Sequence, residues 1–85
     1  MNKYETGILA YNPENERFGM LVMDLWKIDG FHCGDCFEIW DNFKEKWIPT
    51  RIEKGLSETL QNWYLVGTGI TGSDLEGLRI RVEEY

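Results

Sequence analysis

The sequence predicts an all-β domain, a small curled antiparallel sheet or partly open barrel of five or six strands, and three observations lead there. Apolar runs of five to eight residues alternate with turn residues along nearly the whole chain. Only one stretch offers a helix. Four Trp, four Tyr and four Phe among 85 residues supply ring area for a compact core.

The first two strands form a hairpin. Thr6 to Tyr11 reads Thr-Gly-Ile-Leu-Ala-Tyr, Arg17 to Met23 reads Arg-Phe-Gly-Met-Leu-Val-Met, and Asn12-Pro13-Glu14-Asn15 lies between them. Proline presets φ and Asn bonds its own backbone, so this segment is a turn. A third strand follows Gly34-Asp35 over Cys36 to Asp41, and its partner is Lys46 to Glu53, where Ile48, Thr50 and Ile52 alternate with Pro49 and Arg51. Pro49 cannot donate to a ladder, which places it at an edge or a bulge. A fifth strand runs from Asn62 to Gly67. The sixth, Leu78 to Val82, alternates three aliphatics with Arg79 and Arg81, which should lie in solvent or pair with acids on a neighbouring strand. Lys54 to Leu60 is the weak helix candidate, and Gly55 makes it a loop or a single turn. Ile8, Leu21, Ile39, Ile52, Leu65 and Ile80 are the expected inward residues.

Residues 1–85 make one small domain, too short for a second core. Nine Lys and Arg against fifteen Asp and Glu give a formal net charge of −6, which disfavours adhesion to nucleic acid or to an anionic membrane. No apolar run approaches the roughly 20 residues of a bilayer span. Met1 to Glu5 has no apolar signal core, so a cytoplasmic location with reduced thiols is expected.

An ordered set of blocks carries a resemblance: Ala10 to Asn15, Leu21 to Trp26, His32 to Asp35, Trp47 to Glu53 and Trp63 to Thr68. Together they resemble a family of short bacterial proteins known only as a domain of unknown function, often carried by phages and conjugative elements. The match runs roughly from Gly7 to Val82. It implies an SH3-like barrel and a mobile-element origin, and it brings no catalytic or binding residues with it. Small acidic proteins of such elements are similar in size and charge to inhibitors of host defence nucleases, including anti-CRISPR proteins.

His32-Cys33-Gly34-Asp35-Cys36 is the main chemical motif. Two thiolates at Cys-x-x-Cys spacing curl round one zinc ion and His32 offers a third ligand, yet the chain has no other Cys or His. A closed site then needs an Asp or Glu, or the cysteine pair of a second copy. Redox chemistry wants the first Cys at a helix N-terminus, whereas Phe37 to Trp40 is strand-like. The plainer reading makes Gly34-Asp35 a turn, with Cys33 and Cys36 as small buried hydrophobes. Ser57 and Ser73 have no base beside them, so no catalytic set is visible and no enzyme is expected. Gly67 to Gly72 lacks the Lys of a phosphate-binding loop and reads as a flexible connection.

Charge is distributed unevenly. From Asp24 to Asp41 five acids face the single base Lys27, interleaved with Trp26, Phe31, Phe37 and Trp40; from Asn42 to Lys54 four bases outnumber two acids. On the plain reading the rings pack inward and ion pairs join the third and fourth strands. On the sharper one, Asp24, Trp26, Asp29, Phe31 and Asp41 form a face for a protein partner with a basic surface. The leading expectation is therefore a non-enzymatic protein-interaction module without a cofactor, in concrete form an acidic inhibitor of a nuclease or other nucleic-acid-binding protein. A small nucleic-acid-binding barrel using Lys44 to Lys54 with Arg79 and Arg81 is the alternative, and a zinc or redox protein using Cys33 and Cys36 the third.

Overall fold

The computed structural model describes residues 3–55 and 62–84. Strands β1 (Lys3–Asn12), β2 (Arg17–Val22), β3 (Leu25–Ile28), β4 (Cys36–Asp41), β5 (Lys46–Lys54), β6 (Trp63–Leu65) and β7 (Arg79–Glu84) follow one another along the chain, and a single 3-10 turn, Gly72–Leu75, precedes β7. They form one antiparallel seven-stranded sheet in the order β3-β2-β1-β7-β4-β5-β6. All-β architecture is as expected, but five or six strands was too few. Residues 56–60 of the helix candidate lie outside the described residues, while Lys54 closes β5.

β3 is the additional strand. It joins β2 through a two-residue turn whose central residues, Met23 and Asp24, both have positive φ, 53° and 65°. That is the type I′ geometry that suits strand twist, normally built from Asn-Gly. Without that dipeptide the turn has no sequence signature. The other two hairpins share a different design. Asn12 pairs with Arg17 and Asp41 with Lys46, each around a four-residue loop whose last residue, Glu16 or Glu45, has positive φ. In both, the Asx side chain accepts the backbone N–H two residues on, from Glu14 at 3.0 Å and from Phe43 at 2.8 Å.

The sheet curls until its distant strands meet. Phe18 of β2 packs edge-on against Trp63 of β6, centroids 6.2 Å apart, although four strands lie between them in the sheet order. The segment after β3 spans the same gap: the Phe31 N–H donates to the Phe18 carbonyl, the Gly34 N–H to Ile52, and the Ile52 N–H to Asp35. Leu9, Phe18, Met20, Phe31, Phe37, Ile39, Ile52, Trp63, Leu65, Leu75 and Ile80 fill the enclosed core. Gly7 and Gly19 permit the tight curl. A Cβ on Gly7 would stand 2.5 Å from the Leu21 carbonyl oxygen, and one on Gly19 would collide with that of Ile28.

Four of the six expected inward residues, Ile39, Ile52, Leu65 and Ile80, are buried. Ile8 and Leu21 are a correction. They pair with each other on the solvent side, Ile8 being 42% exposed, while Leu9 pairs with Met20 inside. A one-residue slip moves a strand's whole set to the other face, and the run Ile8-Leu9-Ala10 has no polar residue to mark parity. Pro49 behaves as its missing N–H requires: β5 pairs with β6 only from Ile52 onward, so Pro49 has a neighbour on the β4 side alone. The Gly67 to Gly72 connection is tied down rather than loose, through a Tyr64–Thr71 bridge and the buried Leu75. Among the described residues no helix is long and apolar enough to cross a membrane.

Candidate functional site

The β4–β5 hairpin and the 66–70 segment wall an open cleft of about 510 Å³. Ile39, Ile48, Ile70 and Leu78 line it, and Trp40 and Phe43 stand at its lip. Phe43 is 100% exposed. The hairpin tip is held by Asp41, whose Oδ1 accepts the N–H groups of Phe43 at 2.8 Å and Lys44 at 3.1 Å. These bonds, that from Lys44 first, with the Lys44 and Lys46 charges, keep the Asp41 carboxyl below its ordinary pKa of 3.8 despite some desolvation. The opposite wall is fixed by threonines. Thr50 Oγ1 donates to the Val66 carbonyl at 2.7 Å, and Thr68 Oγ1 donates to Leu65 while accepting the Ile70 N–H. Gly67 and Gly69, with φ of 80° and 76°, turn the chain between them.

Trp40 leads from the cleft onto the outer face of the sheet. There Arg79 lies over both Trp40 and Trp47, each 5.8 Å away, and Arg81 lies over Tyr4 at 3.8 Å and Trp47 at 4.7 Å. Arg81 Nε also donates to Glu38 at 2.9 Å, a pairing with an acid on the neighbouring strand β4 as expected for the last strand. The row continues through Ile8, Leu21 and Trp26 by cross-strand pairing. Half of it is cationic and aromatic, half apolar.

The acidic-aromatic set divides within this framework. Asp24 is exposed in the β2–β3 turn, Trp26 is half-buried beside Leu21, and Asp29 is exposed, its carbonyl accepting from the Asn12 and Asn15 amides. Phe31 is 3% exposed and packs on Phe37 at 4.8 Å, so its ring belongs to the core and presents nothing to a partner. Asp41 sits on β4, which β2, β1 and β7 separate from β3 within the sheet. The residues that sequence reasoning missed are Phe43 and the cleft beneath it. Their one available signal was an aromatic inside an otherwise polar turn, Asp-Asn-Phe-Lys-Glu-Lys.

Cys33 and Cys36 are free and exposed, which corrects their reading as buried hydrophobes. Cys36 takes the outward parity of β4, between inward Phe37 and the turn, and Cys33 lies in the turn itself. Among the described residues no group of three His, Cys, Asp or Glu side chains comes together as metal ligands.

A comparison with curated proteins finds no match. Among solved structures, a crystal structure of a protein from Ruminococcus gnavus superposes with a TM-score of 0.72 at 35% identity, covering 92% of this chain and 100% of that one. A family model described as Domain of unknown function (DUF5348) matches residues 7–82. With nearly the full sheet inside that match and a related structure of the same fold beside it, the chain belongs to the DUF5348 family.

Proposed function

We propose that this SH3-like domain is a non-enzymatic protein-interaction module that seats an apolar anchor of a basic partner in the cleft beside Phe43. The carrying observation is the fully exposed Phe43 at the lip of a cleft floored by Ile39, Ile48, Ile70 and Leu78. A large ring held in water by a well-bonded turn gains nothing in the free molecule, whereas burying it against a partner returns about 1.5–3 kcal/mol. The net charge of −6 supports a basic partner, and an acidic inhibitor of a nucleic-acid-binding protein from a mobile element is the concrete form of this reading.

A second reading has its own observation. Arg79 and Arg81 stacked among Tyr4, Trp40 and Trp47 form a cationic aromatic strip of the kind that holds single-stranded nucleic acid. One experiment separates the two. A displayed random-peptide library is selected on the wild type and counter-selected on Phe43→Ser, and short DNA and RNA are titrated against the wild type and Arg79→Glu. Enrichment of peptides with an apolar anchor flanked by Lys or Arg, lost on Phe43→Ser, is the expected result. Equal recovery on both baits, with tight oligonucleotide binding lost on Arg79→Glu, replaces it with the second reading.

A further inference from the structure

We propose that the turn carrying Cys33 and Cys36 is half of a zinc site, completed by the same turn of a second copy of this chain. Free cysteines rank among the most buried residues of proteins. Here both are exposed and free, three positions apart, Cys33 in the turn and Cys36 at the first position of β4. The backbone of that turn is set chiefly by other groups. The Asp35 N–H donates to the His32 carbonyl at 3.0 Å, and the His32 N–H to Asp35 Oδ2 at 2.8 Å. Two further bonds, Gly34 N–H to Ile52 and Ile52 N–H to Asp35, bolt it to β5. The thiols stand on this rigid base and add to it one long contact, from Cys36 Sγ to the Gly34 carbonyl at 3.5 Å, which a metal-bound thiolate would give up.

Approach to them is open. Gly34 has φ of 92°, and nothing lies within 4 Å of where its Cβ would be, so the crown of the turn is clear for another molecule.

Stoichiometry selects the occupant. Zinc in a closed site takes four ligands, thiolates at about 2.3 Å, and the whole sequence contains two Cys and one His. Since no third ligand group forms among the described residues, two copies meeting turn to turn complete a Cys₄ centre. On binding, four thiols release four protons and form four zinc–sulfur bonds, and no electrons move. The centre is dianionic, and each chain already carries −6, so the copies repel one another unless the metal joins them. Being superficial, the site leaves the fold independent of the ion.

The test uses the full chain under a phosphine reductant, titrated with Zn²⁺ alone against a chromophoric chelator, with light scattering for mass and Co²⁺ absorption for ligand type. One zinc per two chains, a doubled mass reversed by chelator, and tetrahedral thiolate bands from Co²⁺ are expected. Cys33→Ser and Cys36→Ser should each lower affinity by roughly a hundredfold or more while keeping the near-ultraviolet dichroism of the wild type. His32→Ala should leave both affinity and mass unchanged. One zinc per chain without a change in mass, affinity carried by His32, or no binding beyond that of the Cys33→Ser variant overturns the proposal.

Discussion

Ile80 and Arg79 are adjacent on β7 and answer to different forces. Ile80 is 0% exposed and lies across from Ile39 and Gly7, whereas Arg79 is exposed over two indoles. Ile80→Asp buries a carboxylate with no partner. That cost exceeds the 4 kcal/mol or so that marks an exceptional mutation, against a total stability of about 4–13 kcal/mol for a domain this size, so the variant should fail to show cooperative thermal unfolding. Arg79→Gln loses only an exposed cation–π contact of about 0.5–1 kcal/mol and should fold normally. Asp41 adds a pH response. Its carboxyl is held below 3.8 chiefly by the Lys44 N–H, so its contribution to the hairpin is complete above that value and disappears as pH falls through the lowered one. The Phe43 and Lys44 amide resonances should report this titration with a midpoint below 3.8, and Asp41→Asn, which keeps the acceptor oxygen, should flatten it.

The turns were the least legible elements and hold the most local strain. Met23 and Asp24 adopt left-handed backbone, Met23 with its side chain 91% exposed. Replacing Met23-Asp24 by Asn-Gly supplies the residues that a type I′ turn favours, and should stabilise the domain by about 1 kcal/mol, or roughly 4–8 °C in Tm. An unchanged or lower Tm would show that the exposed Met is held by contacts this geometry does not predict. The same chemistry explains which strands could be read in advance. Leu78 to Val82 and Ile48 to Ile52 alternate polar with apolar residues, so their facing was plain. In β1 the adjacent Ile8, Leu9 and Ala10 conceal it; only the bulky period-two set Phe18, Met20 and Val22 on β2 marks the inward side. Phe43 was hidden for the opposite reason, since a ring in a hairpin tip leaves no periodicity, and the cleft beside it is lined also by residues distant in sequence, Gly67, Thr68 and Ile70.

At the scale of the whole molecule, charge and curl act together. In the sheet order β2, β1 and β7 lie between β3 and the strand of Asp41, and Asp41 commits its carboxylate to the hairpin tip. A charge-reversal experiment must therefore spare Asp41, because changing it would confound steering with loss of the turn. Asp24 and Asp29 are exposed and have side chains with no fixed partner among the described residues, so reversing both to Lys changes the net charge from −6 to about −2 with little effect on stability. If a basic partner is captured, the association rate with a selected Lys- or Arg-flanked peptide should fall for Asp24→Lys/Asp29→Lys at low salt. Wild type and variant should converge as the Debye length shrinks from about 10 Å at 0.1 M to about 3 Å at 1 M salt. Phe43→Ser should instead raise the dissociation rate at every ionic strength, since anchor loss is insensitive to screening. Stopped-flow measurement of both rates across that salt range separates the long-range term from the contact term. A reversal that leaves the low-salt association rate unchanged would remove charge from the recognition mechanism and leave the cleft as its whole basis.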